Sequence, residues 1–170
     1  MANRGYAKSL GVLAVAVVVI CVFMYVAMGP SVAPPDESLR VTHGRGFSII
    51  PPKGWETRIG FAMPNGSEVD NITITELKPE LTPGIIKVKM LPEKLNDAEI
   101  ARKKYEPTEL FPSPAFHREW EQEKQHGVQF LFEANGAWYE IGLERPLSDP
   151  IDTAWMAYIR SFRPAPRADR

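Results

Sequence analysis

Cysteine is almost absent from this chain. The single one, Cys21, can make no intramolecular disulfide, so the folded part must hold together by its core alone. Thiol catalysis is excluded everywhere beyond it. Histidine is scarce as well: His43, His117 and His126 are the only three, and none has a His-Glu-x-x-His or His-x-His partner that would put two imidazoles on one metal. Nor is there an excess of basic charge. With 20 Lys and Arg against 21 Asp and Glu, and no basic stripe interleaved with aromatics, the chain offers no nucleic-acid surface. It contains no Gly-x-Ser-x-Gly elbow and no internal repeat, and Gly44-Arg45-Gly46 lacks the third glycine of a phosphate loop, so it reads as a turn. None of these patterns calls for a cofactor.

Charge and proline are both missing from residues 10–28, LGVLAVAVVVICVFMYVAM. At about 1.5 Å per residue this helix would measure roughly 28 Å, close to the hydrocarbon thickness of a bilayer. A cleaved signal has a shorter apolar core and a small-residue exit. Here a cut after Ala27 would meet bulky Tyr25, and a cut after Gly29 or Ala33 would leave Pro30 or Pro34 just beyond it. These features favour an uncleaved anchor over a cleaved signal releasing a secreted ligand-binding domain. Arg4 and Lys8 precede the run and Asp36 and Glu37 follow it, so the positive-inside rule keeps the N-terminus cytoplasmic and residues 30–170 outside, periplasmic or extracellular. Ile20 stands where a lipoprotein site needs a small residue, so Cys21 reads as a small apolar side chain within the span.

The chain then divides into a cytoplasmic stub (1–9), the anchor (10–28), a Pro-rich linker (29–38), one domain (39–164) and a polar, disordered tail (165–170). Beyond the span, without Arg4 and Lys8, 18 basic and 21 acidic residues remain, a net charge near −3. Asn65-Gly66-Ser67 and Asn71-Ile72-Thr73 fit the glycosylation pattern, relevant only in a eukaryotic secretory pathway.

Period-2 alternation dominates the domain. Trp55, Thr57, Ile59 and Phe61 share one face of a strand, and residues 72–75 and 85–90 repeat the pattern with β-branched residues. Asn135-Gly136 between two alternating runs predicts a type I′ hairpin that sets Phe132 opposite Tyr139, Phe130 opposite Ile141 and Val128 opposite Leu143. If Gln125-His126-Gly127 is a three-residue loop, the preceding run joins the meander with Trp120 facing Phe132. A Trp120, Phe132, Tyr139 row is then the expected core. Asn96-Asp97-Ala98-Glu99 has the form of a capping box for a helix running to about Tyr105. A second helix, capped by Ser148 or Asp149 with Pro150 in its first turn, carries Ile151, Trp155, Tyr158, Ile159 and Phe162 at helical spacing. The fold class is α+β, a mainly antiparallel sheet flanked by helices.

In the stretch Gly46-Phe47-Ser48-Ile49-Ile50-Pro51-Pro52-Lys53-Gly54-Trp55, the prolines end a strand, Gly54 allows a tight turn and Trp55 re-enters the core. This stretch resembles the opening signature of PsbP-like domains, and the aromatic C-terminal helix ending in Ser161-Phe162 is similar too. The resemblance covers roughly residues 41–164. It implies an antiparallel sheet sandwiched between helices. Family members include an extrinsic subunit of the photosynthetic oxygen-evolving complex, a Ran-binding nuclear transport factor and many exported bacterial proteins. Most act by binding partners. The chain departs from the photosynthetic members in carrying an anchor in place of a plastid transit peptide, and no metal or partner residue of the family can be matched here.

Two functions follow as expectations. The favoured one is a membrane-tethered, extracytoplasmic binding or assembly module without catalytic activity, held at the bilayer by residues 10–28 and meeting protein partners in or near that membrane. Its candidate contact residue is Trp138, placed opposite Glu133 on the face away from Phe132, unless a flanking helix covers it. The alternative is a hydrolase or metal-dependent enzyme using Glu119 and Glu121 with His117, whose alternation with Glu123 otherwise reads as the solvated side of a sheet. Convergence of those groups in a concave pocket with shifted pKa values would favour the alternative, and an open, solvated face would count against it.

Overall fold

A computed structural model describes residues 32–64, 66, 68–77, 82–109 and 115–166. The anchor expected at 10–28, the stub before it, the Asn65 and Ser67 positions and residues 167–170 lie outside them. No helix among the described residues is long and apolar enough to cross a membrane.

The domain is α+β and mostly antiparallel sheet. Its strands are β1 (Val41–Thr42), β2 (Ser48–Ile49), β3 (Glu56–Gly60), β4 (Asn71–Thr75), β5 (Ile85–Leu91), β6 (Glu106–Pro107), β7 (Ala115–Gln122), β8 (Gln125–Ala134) and β9 (Ala137–Pro146). Among the described residues there are two α-helices, α1 (Asp97–Arg102) and α2 (Thr153–Arg160). β1 and β2 form a small ribbon, while the other seven strands make one sheet in the order β3-β4-β5-β9-β8-β7-β6.

The Asn135-Gly136 turn is as the sequence predicts. Both residues have positive φ, 55° and 81°, as a type I′ turn requires. Phe132 pairs with Tyr139, Phe130 with Ile141 and Val128 with Leu143. The hairpin before it differs. β7 and β8 are joined through Glu123-Lys124, with Gln122 opposite Gln125, so Trp120 faces Gly127 and Ala115 takes the place opposite Phe132. Gly127 serves packing and not a turn: a Cβ there would lie 2.6 Å from the Trp120 indole. Because side chains alternate every residue, the odd-numbered shift from the expected pairing moves the whole of β7 to the other face. Trp120 leaves the aromatic row, and Ala115, His117, Glu119 and Glu121 join the Phe132 side.

That side is the main core. Phe132, Tyr139, Ile141 and Leu143 are fully buried together with Ile72, Ile74, Ile86 and Val88. Phe162, just past α2, replaces Trp120 in the row, edge-on to Phe132 at 5.5 Å and to Tyr139 at 5.0 Å. Phe47 meets Tyr139 at 5.9 Å, so the β1–β2 ribbon covers the same face. Pro52 to Trp55 is a tight turn, with the Trp55 N–H donating to the Pro52 carbonyl at 3.2 Å and Gly54 at φ 83°. Trp55 is half-buried against Trp155. Toward the β3 edge cover runs out, and Ile59 and Phe61 are exposed despite their place on the inward side.

α2 begins later than the sequence suggests. Asp152 caps it, accepting from the N–H groups of Ala154 and Trp155, while Asp149 is engaged instead by Arg145 at 2.6 Å. α1 has the expected capping box between Asn96 and Glu99. It stops at Arg102 in a Schellman arrangement: Tyr105 N–H donates to Ile100 C=O, Lys104 N–H to Ala101 C=O, and Lys104 takes the left-handed conformation at φ 58°. The helix packs on the opposite face from α2, where Ile100, Tyr105 and Leu131 form a small cluster.

The domain also extends past both expected ends. Asp36 caps a 3-10 turn at Glu37–Leu39, and Tyr158 donates its hydroxyl proton to the Ala33 carbonyl at 2.6 Å. Ala165, expected in the disordered tail, donates its N–H to the Tyr139 hydroxyl and accepts from Asn135.

Candidate functional site

The corrected register of β7 decides the site. His117, Glu119 and Glu121 stand at alternate positions of β7, opposite Phe130, Val128 and His126 of β8. On this side of the sheet they look toward α2 and the segment that leads into it. The result is a cavity of about 680 Å³, with Phe130 and Val128 in its floor, Pro150, Ile151 and Met156 across from them, and the two glutamates and two histidines around it. That volume lies within the range of small-molecule sites. Glu119 and Glu121 are exposed, while Val128 and Phe130 are buried, so the site has an apolar bottom and an acidic mouth.

The histidines differ in role. His126 reaches across to the segment before α2, its Nε2 lying 2.8 Å from the Asp149 carbonyl oxygen. A carbonyl only accepts, so Nε2 carries the proton and, in the neutral ring, Nδ1 is an acceptor. Asp149 is itself clamped through its carboxylate to Arg145. Arg145 is buried, stacked 4.2 Å over Trp155 and paired with Glu76 at 3.0 Å, which fixes the far wall. His117 stacks along Phe130, and its Nδ1 is buried without a hydrogen-bond partner. Such an atom is costly to leave unmatched. His43 lies elsewhere: fully buried, it is stacked on Phe47 at 4.6 Å, faces the Gly60 carbonyl through Nε2 and accepts the Arg45 N–H at Nδ1. It is a satisfied core histidine.

His117, Glu119 and Glu121 therefore line one concave site, while Glu119 and Glu121 remain exposed as a solvated row would be. Glu123 does not join them, since it sits in the β7–β8 turn. His126 was missed from sequence because it fell inside the expected loop; a two-residue turn at Glu123-Lys124 would have set it opposite Glu121. Among the described residues no group of three or more His, Cys, Asp or Glu is arranged to hold a metal. The cavity has the groups to grip a ligand, but no hydrogen bond joins His117 to a carboxylate that would orient it as a base.

Trp138 pairs with Glu133 as expected and lies on the α1 side. It is half-buried, packed against the Ile100, Tyr105 and Leu131 cluster, with the Lys94 ammonium 5.6 Å above its ring. A second depression of about 670 Å³ lies on the same side, among Arg58, Lys87, Lys89, Lys103 and Glu140. Its central charges are committed to each other. Lys89 donates to Glu140 at 2.7 Å, and Tyr105 donates its hydroxyl proton to the same carboxylate at 3.3 Å. Burial opposes the ionisation of Glu140, but the hydrogen bond and charge of Lys89 hold its carboxyl below the ordinary value. Asn71, in the one glycosylation pattern that is fully described, lies in β4 with its amide donating to the Val69 carbonyl.

No protein-family model matches the chain, and comparison with curated proteins finds no match.

Proposed function

We propose that this chain is a membrane-tethered extracytoplasmic binding module of the PsbP-like kind, which holds its ligand in the cavity between β7–β8 and α2 and carries out no chemistry on it. The observation that carries the proposal is the composition of that cavity: an apolar floor, exposed carboxylates at the mouth and a buried, unmatched imidazole nitrogen, with no oriented nucleophile and base. An antiparallel sheet with α1 on one face and α2 on the other supports the family reading, as does the tight turn at Pro52–Trp55. Residues 10–28 supply the tether. Residues 33–40 belong to the domain, so the spacer is shorter than the sequence alone indicates and partners must meet the domain near the membrane. We assign the contact to the cavity and not to Trp138, which supports α1.

The convergence of His117, Glu119 and Glu121 also favours the hydrolase reading, and one experiment separates the two. Full-length protein in sealed, right-side-out vesicles is digested from outside with and without membrane permeabilisation. Digestion to a membrane-bound stub in intact vesicles is the expected outcome, and protection of the domain overturns the topology. In the same preparation, Glu119→Gln and Glu121→Gln should change capture of cross-linked ligand. Turnover of an ester or amide panel that is lost in both variants would replace the binding reading with the enzymatic one.

A further inference from the structure

We infer that the cavity beside α2 accepts a small organic cation, an ammonium or guanidinium group carried on an apolar body. The inference rests on the binding reading above and adds the chemistry of the ligand. Its first support is charge. Among the described residues, no Lys or Arg lines the cavity and neither Glu119 nor Glu121 has an ion-pair partner. Buried and half-buried acids elsewhere are paired, among them Asp70 with Arg45, Glu140 with Lys89, and Glu76 and Asp149 with Arg145. Two unmatched carboxylates, two residues apart on one strand face, create a local negative field beside a low-dielectric floor.

Hydrogen-bond polarity is the second support. His126 spends its only neutral-state donor on the Asp149 carbonyl, so its remaining nitrogen accepts. The carboxylates only accept. The Nδ1 of His117 is buried without a partner at the edge of the same site. A donor-rich head group satisfies the carboxylates and the His126 acceptor at once, whereas a carboxylate or phosphate satisfies neither. The apolar lining of Phe130, Val128 and Met156 supplies the third support, since it favours hydrocarbon or an aromatic ring behind the charged group. A bare metal ion meets neither requirement, and no metal-holding cluster exists among the described residues.

The test is isothermal titration of the full-length protein in nanodiscs, with empty nanodiscs as the blank, against three matched probes: 4-phenylbutylamine, 4-phenylbutanol and 4-phenylbutyrate. The amine should bind at least about 10-fold more tightly than the alcohol, with the carboxylate weakest, since two partly solvated carboxylates near an ammonium are worth about that factor. Replacing both Glu119→Gln and Glu121→Gln should remove the amine's advantage over the alcohol. Ile151→Trp, at a half-buried loop position lining the cavity, should fill it and weaken both. If the alcohol or carboxylate equals the amine and Ile151→Trp abolishes binding, the cation inference fails while the binding site stands. If no probe binds, or Ile151→Trp has no effect on binding, the cavity is not the site and both readings fail.

Discussion

The two faces of the central sheet solve the problem of burial differently, and β9 shows both solutions along one strand. Its odd positions, Tyr139, Ile141 and Leu143, are fully buried beneath α2 and the β1–β2 ribbon, in a continuous apolar layer. Its even positions, Trp138, Glu140 and Gly142, face α1, and there a small apolar cluster adjoins a buried acid held by Lys89 and Tyr105. From Tyr139 to Leu143 the first face is specified by shape and area, with a buried ion-pair cluster only at its Arg145 end, and the second by matched charges. Their sensitivities should differ accordingly, in size and in dependence on pH.

The largest effect is expected on the aromatic face. Phe132 is 1% exposed and touches Tyr139 and Phe162, so Phe132→Ala should cost about 3–5 kcal/mol in urea denaturation, with no change between pH 7 and pH 4 in the difference from the parent. An equal loss from a Trp120→Ala change would instead point to the register in which Trp120 completes the row.

Glu140→Gln probes the other face. It leaves Lys89 without its partner, and because that side chain remains 30% exposed the expected loss is about 1–3 kcal/mol at pH 7. The sign with pH is fixed: the folded-state pKa lies below the ordinary 4.5, so the contribution is complete above 4.5 and disappears as pH falls through the lowered value. Parent and variant should therefore converge in acid. A difference that persists undiminished at pH 3 would mean that shape and not charge holds this face as well.

Smaller changes test the connections. A Cβ at Gly136 would meet nothing within 4 Å, so Gly136→Val reports backbone conformation alone and should cost about 1–2 kcal/mol. Least of all is Lys104→Gly at the end of α1. Removing the left-handed penalty of about 1–2 kcal/mol, less the extra chain entropy of glycine, should stabilise by about 0.5–1 kcal/mol. Both shifts are measurable as displaced urea midpoints with unchanged slope.

What the sequence disclosed depended on how local the determining physics was. Asn135-Gly136 carries its turn type in its own backbone preferences, and the three pairs predicted from it are the observed ones. The Asn96 and Glu99 capping box is equally local. Glu123-Lys124 has no such preference, and Gly127 misled because its lack of a side chain accommodates an indole from the neighbouring strand, a need invisible along the chain. That one register also controlled the site. His117, Glu119 and Glu121 were visible as an alternating row, but the face they occupy, and the company of His126 and Ile151, followed only from pairing in space. At α2 the same limit applied: Asp149 looked like a cap until Arg145, buried between Trp155 and Glu76, claimed its carboxylate.

The strand order has a consequence for how the molecule assembles. β3-β4-β5 and β6-β7-β8-β9 are two runs in which each strand pairs with the next in sequence, and they meet at a single seam, β5 against β9, where Ile85 pairs with Glu144 and Leu91 with Trp138. Within the seven-stranded sheet, this is the one pairing between strands that are not consecutive. Closure of long loops is the slow, entropically unfavourable part of building a sheet. The two halves can zip up from their own turns, but neither buries its inward face until the seam closes and brings Val88 beside Ile141. Cooperativity of the whole domain is thus concentrated in one line of contact down the middle of the sheet.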